Sequence, residues 1–273
     1  MNTTGDTYEH YRIAVPAAFD DVFSHFYYAR NNTAETLIKT LLPSYQTIMV
    51  FNFGIPATLV SKEQTQIDLD QCLVLGPIKQ AFDYVLPPNS EILVANFRDE
   101  AFYRFFGQAS LAARGPVNPD TLYDDNCFKQ LWLDMQDTPE PAERVNHLLK
   151  FCAPYLKNRD ETSAKLAGFQ NPVLNAIKSV AELNQQSERN IQMHHKKHFG
   201  FSAKELSRYK RFLKAIQLLQ THAEQNKSTD WFEVIDICGY YDQSQLNKDF
   251  KQYLHLSPKQ YLKFQHDICK ANI

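Results

Sequence analysis

The sequence predicts an α+β protein of two domains, an N-terminal antiparallel β-barrel with flanking helices followed by an all-helical C-terminal domain. Short runs of β-branched and aromatic residues, separated by turn-forming residues, dominate the chain up to about residue 120. Beyond residue 170, apolar residues recur at helical spacing between capping residues and glycine stops. The length of 273 residues is sufficient for two domains of ordinary size.

Composition excludes several classes of protein. An apolar content of 44% and a charged content of 22% are typical of a globular chain and not of a disordered one. No apolar run approaches the roughly 18–20 residues that cross a bilayer, and the first residues lack the pattern of a secretion signal. Five scattered cysteines form no CxxC pair, which favours free thiols over disulfides or structural zinc. We therefore expect a cytoplasmic protein with no membrane partner.

The net charge of −2 conceals an asymmetry along the chain. Residues 1–169 carry a net charge of −7, whereas residues 170–273 carry a net charge of +5. The basic C-terminal part favours a surface that faces phosphate groups, although many domains that bind no nucleic acid carry a similar charge.

Residues 1–120 are predicted to form the β-rich domain. Turn formers such as Gly76-Pro77 separate its apolar runs, and no long helical pattern lies between them. This arrangement indicates an antiparallel barrel or sandwich, with one short helical segment near residues 100–109. The runs that predict strands are residues 47–53, 72–75 and 92–97.

Residues 121–168 are predicted to form a helical connector. Apolar stripes at helical spacing cover residues 128–135 and 145–152. They favour packing against the barrel or a partner subunit over a role in cofactor binding. The polar residues 158–167 are predicted to be a linker.

Residues 169–273 are predicted to be helical throughout. Apolar spacing predicts one helix over 172–184, a second that ends at Gly200 and a long third that reaches residue 222. Capping residues precede the predicted helices in a consistent pattern. The predicted caps are Ser187, Ser202, Asp230, Asp242 and Ser257.

The pattern of residues 231–251 predicts a helix-turn-helix. An apolar helix ends at Gly239, and Asp242 caps the next helix with Gln245 three residues later, as in a capping box. The polar early face of this second helix suits base edges and phosphates in a DNA major groove. Its predicted buried face consists of Leu246, Phe250 and Leu254.

Two such units joined by a long helix resemble the AraC/XylS family of bacterial transcription regulators over roughly residues 171–265. The second unit carries the more specific pattern, which covers residues 235–251 and continues with Ser257-Pro258 and Tyr261. The resemblance implies a sequence-specific regulator that binds double-stranded DNA through one helix of each unit. It also implies a homodimer, and a contact with RNA polymerase if the protein activates transcription.

The resemblance further implies which residues face DNA. Arg189 suits guanine and Gln192 suits adenine, whereas lysines at the groove edge position the protein on phosphates without reading sequence. The implied base-contact residues are Arg189, Gln192, Met193, Gln243, Ser244, Gln245 and Lys248. The implied phosphate-contact residues are Lys196, Lys197, Arg208 and Lys251.

Two positions of the first unit depart from the family pattern. Met193 stands where arginine is frequent, and His195 stands where an apolar aromatic residue usually packs. These departures leave an alternative open, namely a small-molecule-binding or dimeric scaffold protein whose DNA-binding half has lost specific readout. The salt dependence and sequence preference of DNA binding discriminate between the two.

Gly76-Pro77 and residues 95–107 resemble, more loosely, an uncharacterised N-terminal domain of some AraC-type regulators. That resemblance implies a cupin-like barrel that serves as an effector and dimerisation module. Such a barrel could hold one small apolar or aromatic ligand. Arg98 and Arg104 are the candidates for binding an anionic group there, and ion pairs on the surface or between domains are the favoured alternative for both.

Enzymatic and metal chemistry are not expected. No phosphate-binding or nucleophile motif is present, and the three histidines before residue 170 are far apart in the sequence. His194 and His198 lie one helical turn apart, but no glutamate lies between them as in a metalloprotease helix. The neighbouring Lys196 and Lys197 also disfavour a cation. We therefore expect no catalytic residue, no metal and no cofactor.

Overall fold

The computed structural model describes residues 7–60, 65–109, 116–123, 126–169, 175–225 and 228–264. The N-terminal part of these residues is β-rich and the C-terminal part is helical, as the sequence predicts. Nine strands are found within the described ranges. They are β1 (Tyr8–Ile13), β2 (Phe23–Asn31), β3 (Leu37–Leu41), β4 (Ile48–Asn52), β5 (Ala57–Val60), β6 (Gln66–Leu69), β7 (Cys72–Leu75), β8 (Phe82–Leu86) and β9 (Glu91–Phe97).

The strands form two antiparallel sheets. The first has the order β1-β2-β9-β4-β7, and the second has the order β3-β8-β5-β6. The register of the first sheet pairs Ile48 with Asn96, and that of the second pairs Leu37 with Leu86. Among the described strands no ladder joins the two sheets, so the predicted antiparallel architecture takes the form of two packed sheets.

Strands β4 and β9 are buried on both faces. In β4, Ile48 and Val50 belong to an apolar core between the two sheets, whereas Met49 and Phe51 belong to a second core on the other face. Successive side chains of a strand point to opposite faces. A strand that is covered on both sides must therefore be apolar throughout, which explains the unbroken run of four apolar residues in β4.

Four helices cover the outer face of the five-stranded sheet. They are α1 (Ala101–Phe106), α2 (Asp120–Tyr123), α3 (Cys127–Gln136) and α4 (Pro141–Cys152). Phe105 and Phe128 lie in the same core as Phe97 of the sheet. Trp132 of α3 donates its indole N–H to the carbonyl oxygen of Asn52, with 2.6 Å between the heavy atoms. The apolar stripes expected between residues 121 and 168 thus pack on the β-sheet.

The described residues of the C-terminal part form seven helices joined by turns and short connections. They are α5 (Glu161–Ala167), α6 (Ala176–Asn184), α7 (Glu188–Phe199), α8 (Ala203–Glu224), α9 (Trp231–Cys238), α10 (Gln243–Leu254) and α11 (Pro258–Phe264). Each of the five predicted capping side chains accepts a hydrogen bond from a backbone N–H two or three residues later. These residues are Ser187, Ser202, Asp230, Asp242 and Ser257.

The structure differs from the sequence prediction at two connections. Residues 158–167, which we expected to be a linker, contain α5. Asp160 caps this helix by accepting from the amide of Ser163 at 3.0 Å, and Leu166 is buried among the C-terminal helices. The segment is polar because a helix of two turns buries only one narrow side. Helix α6 begins behind the capping Asn175, and residues 170–174 lie outside the described ranges.

Two expectations drawn from composition can be compared with the fold. The four cysteines in the described ranges are free thiols, and Cys269 lies outside these ranges. Within the described residues, no helix combines the length and the apolar character that crossing a membrane requires.

The β-rich part and the helical part meet at Tyr45. Its ring stacks on Tyr209 of α8 with 4.5 Å between ring centroids, and the Tyr209 hydroxyl donates to the carbonyl oxygen of Pro43 at 2.5 Å. The amide of Ala81 donates to the carbonyl oxygen of Tyr253 in α10 at 2.8 Å. The N-terminal part therefore contacts both the long helix α8 and the helix that follows the second turn.

Candidate nucleic-acid interface

Helices α6 and α7 form the first predicted helix-turn-helix. Gln185 ends α6 in a left-handed conformation with φ of 53°, and Ser187 caps α7. The buried side of α7 consists of Ile191, His195 and Phe199. The side chains predicted to face DNA recur at three- and four-residue spacing on the opposite side, so they share one exposed face. These exposed residues are Arg189, Gln192, Met193, Lys196 and Lys197.

His195 occupies the position of an aromatic core residue. Its side chain is 4% exposed, and its ring stacks on Phe199 with 4.6 Å between centroids. The Nδ1 atom lies 2.8 Å from the carbonyl oxygen of Phe201, which can only accept, so Nδ1 carries the proton. Burial lowers the pKa of His195, and the ring is neutral. This departure from the family pattern therefore preserves the packing of α7.

Helices α9 and α10 form the second predicted unit. Helix α9 ends at Gly239 with φ of 74°, a left-handed conformation that glycine adopts without strain. Asp242 accepts from the amide of Gln245 at 2.7 Å, and the Gln245 side-chain oxygen accepts from the amide of Tyr241 at 3.1 Å. The buried face is the predicted one, formed by Leu246, Phe250 and Leu254. The exposed polar residues of α10 are Gln243, Ser244, Lys248 and Lys251.

Two residues predicted to contact DNA also have partners within the protein. Gln245 is partly buried, and its side-chain oxygen is engaged in capping α10. Arg208 points its Nε atom at Oδ1 of Asp249, 2.5 Å away. Both residues thus hold the second unit together, and their availability to DNA is lower than that of the exposed residues on α7 and α10.

Asp249 is the important residue that sequence reasoning missed. It lies on the inward face of α10 with 0% exposure, between Arg208 and the Nη2 atom of Arg211, which is 3.4 Å away. The Arg211 guanidinium also lies 4.6 Å from the centroid of the Tyr240 ring in the turn. One carboxylate therefore connects α8, the turn and α10. The sequence contains one indication of this contact. Asp249 lies beside Phe250 in the apolar stripe of α10, and two arginines lie three positions apart on α8.

Helix α8 joins the two units and contacts α7 and α10. Its 22 residues give a length of about 33 Å at the usual helical rise. A capping box of Ser202 and Glu205 fixes its first turn.

The end of α7 contacts the N-terminal part of the chain. The His198 ring stacks on Tyr103 of α1 with 3.9 Å between centroids, and Nζ of Lys197 lies 5.8 Å from the centroid of the same tyrosine ring. Burial, followed by the proximity of His194, lowers the pKa of His198 to about 4. At neutral pH, His198 is therefore a neutral ring between the two parts.

The two arginines considered for anion binding lie away from the core between the sheets. Arg104 is buried in α1 and donates to Oδ2 of Asp21 at 2.7 Å and to the carbonyl oxygen of Lys157 at 2.9 Å. Arg98 is exposed just after β9. The structure gives Arg104 the intramolecular ion pair that was the favoured alternative to ligand binding.

Comparison with known proteins gives one family match and several structural similarities. Residues 180–263 match a family model described as a helix-turn-helix domain. No curated protein matches the chain. The structure of ToxT from Vibrio cholerae is similar over 94% of this chain and 98% of its own, with 13% identity and a TM-score of 0.40.

Two further solved structures illustrate the range of similarity. ToxT from Vibrio cholerae O395 bound to (E)-4-(8-methylnaphthalen-1-yl)but-3-enoic acid is similar over 94% of this chain and 98% of its own, with 12% identity and a TM-score of 0.39. An RmlC-like cupin protein from Desulfovibrio desulfuricans is similar over 36% of this chain and 91% of its own, with 10% identity and a TM-score of 0.28.

The family match extends from within α6 to α11 and so includes both helix-turn-helix units and the helix between them. Its range agrees with the region of the sequence resemblance, residues 171–265. The C-terminal part of this chain therefore contains a helix-turn-helix domain over residues 180–263.

Proposed function

We propose that this chain is a transcription regulator of the AraC type, which binds specific DNA sites by inserting α7 and α10 into successive major grooves on one face of the double helix. The observation that carries the proposal is the presence of two exposed polar helix faces, one on α7 and one on α10, in two units that both contact α8. Neither face is covered by the N-terminal part, although the end of α7 contacts it through His198.

Within this proposal, the exposed side chains divide into readers and positioners. Arginine, lysine, glutamine and serine side chains can hydrogen-bond to base edges and methionine can contact a thymine methyl group, whereas lysines at the groove edge neutralise phosphates. We assign base contacts to Arg189, Gln192, Met193, Gln243, Ser244 and Lys248. We assign phosphate contacts to Lys196, Lys197 and Lys251, and secondary roles to Gln245 and Arg208.

We also propose that an effector acts through the contact between the two parts of the chain. Tyr45 packs on Tyr209 of α8, and Ala81 bonds to Tyr253 of α10, so a displacement of these loops would reach α8 and the second unit. A ligand bound by the N-terminal sheets that shifts this contact would change the population able to bind DNA. Because such coupling is reciprocal, operator DNA would change the affinity for the ligand by the same factor.

We further propose that the protein acts as a homodimer in the cytoplasm, without catalysis, and that it contacts RNA polymerase if it activates transcription. Exposed apolar residues on the edge strands support a dimer, because Ile38 on β3 is 65% exposed and Tyr11 on β1 is 41% exposed.

Selection of duplexes from a random DNA library by the full-length protein tests the proposed function. The proposal predicts an enriched site with two blocks of defined bases whose centres lie about 10 base pairs apart. Enrichment of a single block would mean that only one unit reads sequence. A pool without any enriched block would favour the alternative of a scaffold with degenerate readout, for which the exposed Met193 at a base-facing position is the supporting observation.

A further inference from the structure

The two histidines of α7 meet a carboxylate that lies far from them in the sequence. Asp160 precedes α5, and its Oδ1 atom lies 3.2 Å from Nε2 of His194. Its Oδ2 atom lies 3.2 Å from Nδ1 of His198. Sequence reasoning disfavoured a metal because no acidic residue lies between these histidines. The fold supplies that acidic residue from the start of α5.

A hydroxyl group completes the cluster. The Oγ atom of Ser163 lies 3.0 Å from Nε2 of His194 and 3.0 Å from Nδ1 of His198. The two imidazole rings stack with 3.8 Å between centroids and 27° between planes. Because both nitrogen atoms lie 3.0 Å from the same hydroxyl oxygen, they face a common volume. The three metal-ligand atoms of His194, His198 and Asp160 lie within 4.8 Å of one another.

The ligand atoms are close enough together to surround one first-row metal ion. Metal–nitrogen and metal–oxygen bonds of about 2.0–2.2 Å in a tetrahedron place neighbouring ligand atoms roughly 3.3–3.5 Å apart. Each carboxylate oxygen of Asp160 lies 3.2 Å from one histidine nitrogen, Oδ1 from His194 and Oδ2 from His198, so a small movement of the side chains brings one oxygen and both nitrogens around an ion. We propose that His194, His198 and Asp160 form a binding site for a divalent transition-metal ion of the zinc type, with a solvent molecule as the fourth ligand.

The donor set and the exposure of the cluster favour this class of ion. Two imidazole nitrogens and one carboxylate suit zinc and its first-row neighbours, whereas calcium and magnesium require oxygen ligands. The side chains of His194, His198 and Asp160 are 25%, 12% and 41% exposed, so a hydrated cation can reach the site. Lys197 lies near the same tyrosine ring as His198 and lowers the affinity by repulsion without occupying the site.

A metal ion here would link two helices next to the contact with the N-terminal part. It would connect α5 to the DNA-facing helix α7, under the ring of Tyr103 from α1. The position of the first recognition helix would then depend on metal occupancy. The existence of the site does not rest on the proposed DNA-binding mechanism, because metal binding is measured without DNA.

Titration of the tag-free, EDTA-treated full-length protein with Co²⁺ tests the proposal. Tetrahedral Co²⁺ bound by nitrogen and oxygen ligands absorbs visible light strongly, and this absorption should saturate at one ion per chain. Addition of Zn²⁺ should abolish it by displacement. Absence of a saturable Co²⁺ spectrum, with no Zn²⁺ binding by calorimetry, would overturn the proposal.

Three variants locate the ion. Asp160→Asn retains a good helix-capping side chain but removes the charged ligand, and the double variant His194→Gln/His198→Gln removes both imidazoles. Each should weaken Co²⁺ binding by at least about 10-fold. His147→Gln, which removes an exposed histidine from α4, should leave binding unchanged.

Circular dichroism of the metal-free variants shows whether they fold. If the double variant does not fold, metal binding by Asp160→Asn alone tests the assignment of the site. Metal binding that survives in a folded Asp160→Asn variant and in a folded double variant would place the ion elsewhere and contradict the assignment.

Discussion

At the scale of single residues, Asp249 determines how the second recognition helix is held. Its carboxylate is fully buried and receives Arg208 and Arg211 from α8. Hydrogen bonds between charged groups contribute more to folding stability than hydrogen bonds between neutral groups. Removing the charge of Asp249 would therefore weaken its bonds to both arginines. We predict that Asp249→Asn lowers the free energy of unfolding by about 1–3 kcal/mol.

Urea denaturation of the purified protein measures this change. Asp236→Asn, which alters an exposed aspartate on α9, is the matched control and should change stability little. If both variants lose the same stability, the carboxylate of Asp249 does not hold α10 to α8 in the way described.

Gln243 and Lys251 lie on the exposed part of α10 and should affect DNA binding differently. Gln243→Ala should weaken binding to the selected site by about 1–3 kcal/mol and relax the preference at one base pair. Lys251→Ala should weaken binding to all duplexes similarly and reduce the salt dependence by about one phosphate contact. Salt series on matched and mismatched duplexes measure both effects, and a reversal of the two patterns would contradict the assignment of roles.

Residue roles could be predicted only where they depend on local pattern. The exposed face of α7 follows from helical spacing, so Arg189, Gln192 and Met193 are found together as expected. The ion pair between Arg208 and Asp249 depends on the angle at which α8 and α10 pack. That angle cannot be read from the local sequence pattern. The approach of Asp160 to His198 was missed for the same reason.

At the scale of elements, the helix boundaries were the most predictable feature. Serine and aspartate caps and glycine stops act within a few residues, so the sequence alone locates them. The strands were harder, because β2 (Phe23–Asn31) is held mainly by its pairing with β1 and β9 and was not recognised as a strand. The helix α5 was missed because its stability comes from packing of Leu166 on the C-terminal core.

The end of α7 gives a prediction at this scale. Gly200 has φ of 81°, and a Cβ atom there would lie 2.7 Å from the carbonyl oxygen of Ala109. Gly239 ends α9 with φ of 74°, but a Cβ atom there would meet nothing within 4 Å. Substitution of either by alanine introduces left-handed strain, roughly 1 kcal/mol. Gly200→Ala should cost at least about 1 kcal/mol more than Gly239→Ala because it also pushes the two parts apart.

Urea or thermal unfolding of the two glycine variants measures the difference. Equal losses of stability would show that Gly200 is not closely packed against the N-terminal part in solution.

At the scale of the whole molecule, an ion pair between Lys79 and Glu205 joins the two parts. The charged atoms are 2.8 Å apart. Burial acts to raise the pKa of Glu205, but hydrogen bonds from Lys79 and Ser202 outweigh it and lower that pKa from 4.5 to about 2. Because the folded-state pKa is depressed, this stabilisation is complete above about pH 4.5 and is lost as the pH falls toward 2.

Lys79→Met removes the partner of Glu205 and provides the test. The wild type should unfold at a higher temperature than Lys79→Met at pH 5, and the difference should narrow as the pH is lowered toward 3. A difference that stays constant over this range would mean that the ion pair does not form between the two parts.

The arrangement of the two parts could not be predicted from the sequence. Tyr45, Pro77 and Ala81 lie in loops of the β-rich part, and nothing in their local pattern distinguishes a docking residue from an ordinary loop residue. The two-part division itself was predictable, because strand-like and helix-like periodicities occupy separate stretches of the chain.

The central claim, that this chain reads DNA sequence with both helix-turn-helix units, is tested most directly by fluorescence anisotropy. The full-length protein would be titrated onto its own upstream intergenic DNA and onto a scrambled duplex across a salt series. We predict a preference for its own DNA of about a thousand-fold or more, with affinity that falls steeply as salt increases. Equal and weak binding to both duplexes at every salt concentration would contradict the claim.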